Sequence, residues 1–247
     1  MNKSILIVAL LVVVVGGWWL VKGTPSATDE STGRIVVSVT DAAADMGNVA
    51  SLDMTISGVE MHSVTQGWVS VDSDSATVDL LELKASGEFV LVASADVAVD
   101  TYDQVRVMID DVTVTTKDGA SAEAKVPSGE IKFMGSVVVA EGETSTLSLD
   151  FLADASLHST GDGDFIFAPV IVAESRSGAE VEVDSNNRVK INGGSVTTSV
   201  NVGMDTSGET RANFRLDTSG GVEIEGDVIK LKNNAEVKSG AGVDVSL

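Results

Sequence analysis

From residue 34 onward, apolar and polar residues alternate with a period of two in one short segment after another. In "SLDMTISGVEMHSV", Leu52, Met54 and Ile56 fall on one side, with Asp53, Thr55 and Ser57 on the other. Successive side chains of a strand point to opposite faces, so this pattern predicts a half-buried antiparallel strand. "TQGWVSVD" predicts its hairpin return, with Trp68, Ser70 and Asp72 on one face and Val69 and Val71 on the other. "RIVVSVTD", "TVDLLEL" and "EFVLVASADV" read as further strands. In "YDQVRVMIDDVTVTTKDG", Val105, Val107 and Ile109 face one way, the alternation slips at Asp110 and Asp111, and it resumes at Val112 and Val114. One extra residue on one strand has that effect, so the slip predicts a β-bulge. "SAEAKVP", "EIKFMGSVVVA", "TLSLDF" and "FIFAPVIVAES" continue the series, each bounded by Gly, Asp, Ser or Pro. Short strands at this spacing, with no helical period between them, predict an all-β fold. The expected form over residues 34–175 is an antiparallel β-sandwich, Ig-like or transthyretin-like.

Beyond Ser175 the segments become shorter and more polar, separated by Asn-Asn, Gly-Gly and Ser-Gly. "NNRVKINGGSV" and "SGGVEIEGDVIKL" are loosely similar, each a turn, a strand, a turn and a strand. Residues 176–247 therefore read either as a small β-rich C-terminal domain or as an extension of the main sheet.

The N-terminus follows a different pattern. Ser4 to Val21 is an uncharged apolar run between Lys3 and Lys22. At about 1.5 Å per residue it makes a helix of roughly 27 Å, able to span a bilayer if the terminal lysine snorkels. It also exceeds the roughly 7–15 apolar residues of a cleavable leader, and Trp18 and Trp19 sit where an interfacial aromatic belt lies. Residues 1–22 are thus expected to be a retained membrane anchor or an uncleaved signal, contacting the membrane through residues 4–21. Residues 23–33, "GTPSATDESTG", read as a polar tether. Everything after it is expected outside the cytoplasm, at the cell surface or in the periplasm.

The 247 residues carry 37 Asp and Glu against 16 Lys and Arg, a formal charge of -21. Such a charge repels phosphate backbones and anionic headgroups, which disfavours nucleic-acid partners and electrostatic adsorption to lipid. With 0 Cys there is no disulfide, thiolate metal site, Cys nucleophile or lipid-bearing Cys.

"SVTDAAADM", "TISGVEMHS" with Trp68, "DLLEL", "TYDQVRVMIDDV", "KVPSGEIKFMGSVVVAEGETSTLSLDF" and "ASLHSTGDGDFIFAPVIV" resemble, in order and spacing, the domain-of-unknown-function 4382 family over about residues 33–175. The resemblance implies an extracytoplasmic β-sandwich domain of bacterial and archaeal surface or envelope proteins, many of them lipid-anchored. This chain departs from those relatives in having no Cys, which fits a helical anchor serving instead. The family has no established catalytic residues to carry over.

Candidate chemistry is sparse. Asp150, Asp154 and His158 recur every four residues, yet over that span a helix rises about 12 Å and a strand about 26 Å, too far to share one ion. Asp162 and Asp164 sit in "TGDGDF", where Gly and Asp are ordinary turn residues. A loop between strands is the simpler reading, and a calcium site of Asp162, Asp164 and Asp154 is the functional one. Asp72 and Asp74 match positions 1 and 3 of an EF-hand loop, but Thr77 stands where Gly is required and Leu83 where the bidentate Glu belongs, which excludes that motif. Asp110 and Asp111 point to opposite faces of a regular strand, and His62 reads as a surface residue. No G-x-S-x-G, H-E-x-x-H or Walker loop occurs, so an enzyme is not expected. Trp68, with Tyr102 the one Tyr able to join it, is the candidate stacking platform for a sugar or protein ligand, set against a Trp buried in a second layer.

The expected function is therefore a non-catalytic, membrane-anchored extracytoplasmic binding or adhesion module for a protein or glycan partner. The alternative is a structural surface or filament subunit, a homo-oligomer assembling through strand edges.

Overall fold

In the computed structural model the chain is described over residues 31–41, 46–72, 74–212, 222–225 and 228–231. The expected anchor at 1–22 and most of the tether lie outside the described residues, and no helix among those described is long and apolar enough to cross a membrane.

The elements run β1 (Thr32–Asp41), β2 (Val49–Ser63), β3 (Gly67–Asp72), β4 (Ala76–Asp79), α1 (Leu80–Ser86), β5 (Phe89–Ala98), β6 (Asp100–Thr116), β7 (Ser121–Lys125) and β8 (Glu130–Val139). They continue with β9 (Thr144–Phe151), α2 (Ala153–Ser156), β10 (Leu157–Ser159), β11 (Phe165–Phe167), β12 (Val170–Val183), β13 (Arg188–Met204), β14 (Thr210–Ala212), β15 (Val222–Glu225) and β16 (Val228–Leu231). The first sheet has the order β12-β9-β1-β5-β13-β14. The second has the order β10-β11-β7-β6-β2-β3, with β4 beside β2 and β8 beside β6, and β15 pairs with β16.

One core joins the two large sheets. Ile35, Val37 and Val39 of the first meet Leu52, Met54, Ile56, Val105, Val107 and Ile109 of the second, all buried as the alternation predicts. The sheets are mixed, which corrects the expectation of purely antiparallel pairing. β1 and β9 run parallel, as do β7 and β11. Parallel neighbours need a long crossover, and the chain supplies one by building most of the second sheet between β1 and β9.

The bulge falls where the alternation slips. Thr55 lies opposite Asp111 and Ile56 opposite Ile109, so Asp110 is the extra residue, and its carboxylate accepts the Ser57 hydroxyl at 2.6 Å. "DLLEL" is different from the strand expected of it. Asp79 Oδ1 accepts the Leu81 N–H at 2.9 Å as an N-cap, Glu82 follows in the first turn, and Gly87 closes the helix in the left-handed region at φ 64°. Leu80 and Leu83, one turn apart, bury the inner side of α1. The Asp-x-x-Glu spacing and the glycine after Ser86 are start and stop signals that outweigh a short apolar run.

β12 continues as one strand through residue 175, where the change of composition coincides with a register shift against β13 between Ser175 and Arg176. It pairs with β13 from Val170↔Gly203 out to Val183↔Val189. Gly193-Gly194, expected to be a turn, lies inside β13. Gly178, Gly193 and Gly194 have φ of 63°, 65° and 73°, a region open to glycine at little cost. A Cβ on Gly194 would lie 3.0 Å from the Ser177 carbonyl and 3.1 Å from Ala179 Cβ. These glycines bend the hairpin. Its far arm, residues 179–192, returns to β5, where Arg188 lies opposite Val90, Val189 opposite Phe89, and Leu91 N–H donates to Asn187 O at 2.8 Å. The circuit β12-β9-β1-β5-β13 thereby closes on β12.

Candidate functional site: a polar cleft under the bent hairpin

Closure changes the chemistry of the first sheet's second face, which a two-layer fold would leave to water. Three cross-strand rows from β12, β9 and β1 form a floor: Arg176, Thr146 and Val36; Glu174, Ser148 and Ser38; Val172, Asp150 and Thr40. Val36, Ser38 and Thr146 are buried on that face. The returning arm brings Glu182, Asp184, Arg188 and Lys190 to the other side of a cleft of about 850 Å³.

Ion pairs hold its walls. Arg176 Nε donates to Glu174 Oε1 at 2.7 Å, and its Nη1 donates to Gly193 O at 3.2 Å, tying floor to bend. Arg188 Nε sits 2.8 Å from Glu88 Oε2, which fastens the tip of the arm beside β5. That pair also lines a smaller cavity of about 340 Å³ shared with α1. Asp184 Oδ1 accepts the backbone N–H groups of Arg188 and Asn186 at 2.9 and 2.8 Å, and these bonds keep its carboxyl below the usual carboxylate range. Thr40 Oγ1 donates to Glu88 O at 2.8 Å, and the Ser38 and Ser148 hydroxyls are 3.4 Å apart.

Trp68 stands elsewhere, on the outer face of the second sheet. It is 37% exposed, with the Arg106 guanidinium 4.3 Å from its ring centroid and the His62 ring edge-on at 5.2 Å. Arg106 is held by Glu60 at 3.1 Å, and its Nε lies 3.3 Å from Glu130 without hydrogen-bond alignment. His62 Nδ1 is 2.8 Å from Asp103 Oδ1. Met134, 61% exposed, follows His62 and Gln104 along the same row. Tyr102 does not join this surface. It is fully buried in the core, its hydroxyl donating to Ala98 O at 3.0 Å, because its position on β6 faces the other sheet.

The three aspartates considered for calcium are not brought together. Asp154 is exposed on the one-turn helix α2, whereas Asp162 and Asp164 lie in the turn between β10 and β11. Among the described residues no three Asp, Glu or His side chains are grouped to hold a metal ion. The turn is closed instead by Thr160, whose N–H donates to Asp164 O at 2.8 Å and whose hydroxyl accepts the Asp164 N–H at 3.1 Å.

His158, in β10 of the same stretch, is a half-buried imidazole, and its partial burial pushes its pKa below the usual 6.5. The unfolded chain therefore binds a proton near pH 6.5 that the folded chain refuses. Stability is full above pH 6.5 and falls as pH drops toward the lower folded value. Carboxylates such as Asp184, held below 3.8, lose their contribution only in more acidic solution. Between pH 7.5 and about 5, denaturant melts of His158→Gln are expected to show a smaller loss of stability than wild type, and equal losses would rule out a His158 kept neutral by the fold.

Sequence reasoning missed the cleft because its two halves lie far apart in the chain. Asp150 is singled out in the sequence only with Asp154 and His158, and Arg176 to Gly193 fall in a region that reads either as a small C-terminal domain or as an extension of the main sheet. The available signal was the alternating "AEVEV" and "RVKIN", set between Gly178 and Gly193 and centred on Asn186-Asn187, which together describe one hairpin arm with a glycine hinge.

Two packed sheets with a polar cleft under a returning hairpin define this protein as a β domain with a concave, charge-lined site. The chain belongs to the family described as a domain of unknown function (DUF4382), which matches residues 32–169, more than half of it. The match includes the β1 and β9 floor and ends at Pro169, so the bent hairpin lies beyond it. No curated protein and no solved structure matches the chain.

Proposed function

We propose that this protein is a non-catalytic, membrane-anchored binding module on the outer side of the cytoplasmic membrane, and that its partner, a protein or glycan of the cell envelope, seats in the cleft. The cleft is the observation that carries this reading. Its size falls in the roughly 300–1,000 Å³ range typical of ligand sites, and its walls present donors and acceptors that converge from four strands. Its two arginines are tied to carboxylates, an arrangement suited to gripping a ligand rather than activating a nucleophile. Location is supported by the apolar run at 4–21 and by the charge of -21, which keeps the domain off an anionic lipid surface.

Assembly through strand edges is the weaker reading. The closed circuit leaves the first sheet few free edges. On β8, the Ser136 carbonyl accepts the hydroxyls of Ser175, Thr197 and Thr198 at 2.8, 2.9 and 3.0 Å.

The test uses detergent-solubilised full-length protein and delipidated cell envelopes. Wild type is expected to sediment with the envelopes. Ser148→Trp, which fills the floor of the cleft, is expected to weaken retention tenfold or more, and Trp68→Ala to leave it unchanged. Loss of retention in Trp68→Ala with Ser148→Trp unaffected would move the site to the second sheet.

A further inference from the structure

The cleft lining mixes five carboxylates, those of Glu88, Asp150, Glu174, Glu182 and Asp184, with three cations, Arg176, Arg188 and Lys190, so an ion of either sign meets like charge there. Arg176 is bound to Glu174 and to the Gly193 carbonyl, and Arg188 is bound to Glu88. Across the hairpin arm, Lys190 lies directly opposite Glu182, and Asp184 is committed to the backbone of the tip. An anionic ligand would meet the five carboxylates of the lining. A cationic ligand would meet the guanidinium groups of Arg176 and Arg188 and the Lys190 ammonium. Either approach is opposed by like charge within the cleft.

A neutral hydroxyl group faces no such cost. A guanidinium carries five N–H donors in a fixed fork, and these contacts engage only part of each set. A carboxylate in a single N–H···O contact likewise keeps lone pairs for an incoming O–H. Neighbouring hydroxyls on one ligand can therefore accept from Arg176 or Arg188 and donate to Glu174 or Glu88 with both ion pairs intact. The floor adds the hydroxyls of Thr40 and Ser148, and Phe89, Val172 and Ile191 supply apolar contact for C–H faces. Vicinal hydroxyls next to C–H faces are the chemistry of a sugar ring.

We propose that the cleft is a carbohydrate site, and that its ligand is an uncharged oligosaccharide gripped by the Arg176–Glu174 and Arg188–Glu88 pairs. This rests on the reading of the cleft as the binding site and goes further by naming the ligand class. Because both pairs stay formed, binding depends little on ionic strength. A charged ligand would weaken sharply as salt screens the attraction.

The experiment presents detergent-solubilised full-length protein to an array of neutral, uronic, sulfated and amino oligosaccharides at low and at high salt. The expected result is retention on at least one neutral glycan, within twofold at both salt concentrations. Arg176→Lys keeps the charge but lacks the fork, and is expected to lose tenfold or more of that affinity with its unfolding temperature near wild type. Ser148→Trp is the second variant, for use if Arg176→Lys fails to fold, and is expected to abolish retention. Binding confined to charged glycans, or binding that falls steeply with salt, overturns the assignment of a neutral sugar. Absence of glycan binding while Ser148→Trp still releases the protein from cell envelopes overturns the carbohydrate assignment and leaves the cleft as a site for a protein. Envelope retention indifferent to Ser148→Trp overturns both.

Discussion

Phe151→Ala is expected to lower the stability of the domain by about 3–5 kcal/mol, the usual cost of truncating a buried phenylalanine. Phe151 ends β9, is fully buried, and stacks on Phe167 with ring centroids 6.4 Å apart. It pairs with Asp41 of β1 on one side and Ile171 of β12 on the other. Those neighbours belong to a closed circuit, so they cannot move inward independently to fill the space. In a folded unit of roughly 150–250 residues each kcal/mol moves the melting temperature by about 2–4 °C, so thermal unfolding is expected to fall by roughly 6–20 °C. Asp150→Asn, one residue earlier and facing the cleft, supplies the contrast. Its melting temperature is expected to stay within a few degrees of wild type, since substitutions away from the core typically cost less than about 1 kcal/mol. A fall in Asp150→Asn equal to that of Phe151→Ala would mean that the two faces of β9 are not separated as described.

Gly194→Val is expected to have the second large effect, and it reaches function through the bend. A β-branched residue at φ 73° is strained, and its Cβ would approach the Ser177 carbonyl and Ala179 too closely for a packed strand. Backbone strain and overpacking each cost about 1–3 kcal/mol, which puts the expected loss at about 2–6 kcal/mol. The hairpin can relieve that strain by straightening, which would pull Arg188 from Glu88 and open the cleft. Denaturant melts should therefore show the loss of stability, and retention on cell envelopes should fall in parallel. Gly161→Val is the control, since a Cβ there meets nothing within 4 Å and no positive φ constrains it. Should Gly194→Val melt with Gly161→Val, the bend does not depend on that glycine.

Strand patterning was legible in the sequence because burial on one face imposes it. Leu52, Met54 and Ile56 had to alternate with Asp53, Thr55 and Ser57 once β2 lay between core and water, and the slip at Asp110 was visible because a bulge resets that alternation. The strand expected at "DLLEL" is the helix α1, because the stretch is too short for a helical period to assert itself and its capping residues carry the information instead. Tyr102 was placed by its residue type and not by its face. Counted from Val105 and Val107 alone it falls on the outer side, but the register shift between Tyr102 and Gln104 turns it into the core. The cleft was illegible for a topological reason. Its floor lies on β1, β9 and the start of β12, its wall comes from the far arm of the hairpin, and only closure of the circuit through β5 brings Glu88 to Arg188.

The absence of cysteine makes the central claim directly measurable, because one introduced thiol reports on one place. Lys190→Cys puts the thiol on the arm over the cleft, and Ser70→Cys puts it on the outer face of the second sheet beside Trp68. Maleimide labelling of each full-length variant is followed with and without delipidated cell envelopes. If the cleft is the binding site, envelopes slow the labelling of Lys190→Cys severalfold and leave Ser70→Cys unchanged. Protection of Ser70→Cys with Lys190→Cys labelled at its free rate would contradict that account and place the partner on the Trp68 face.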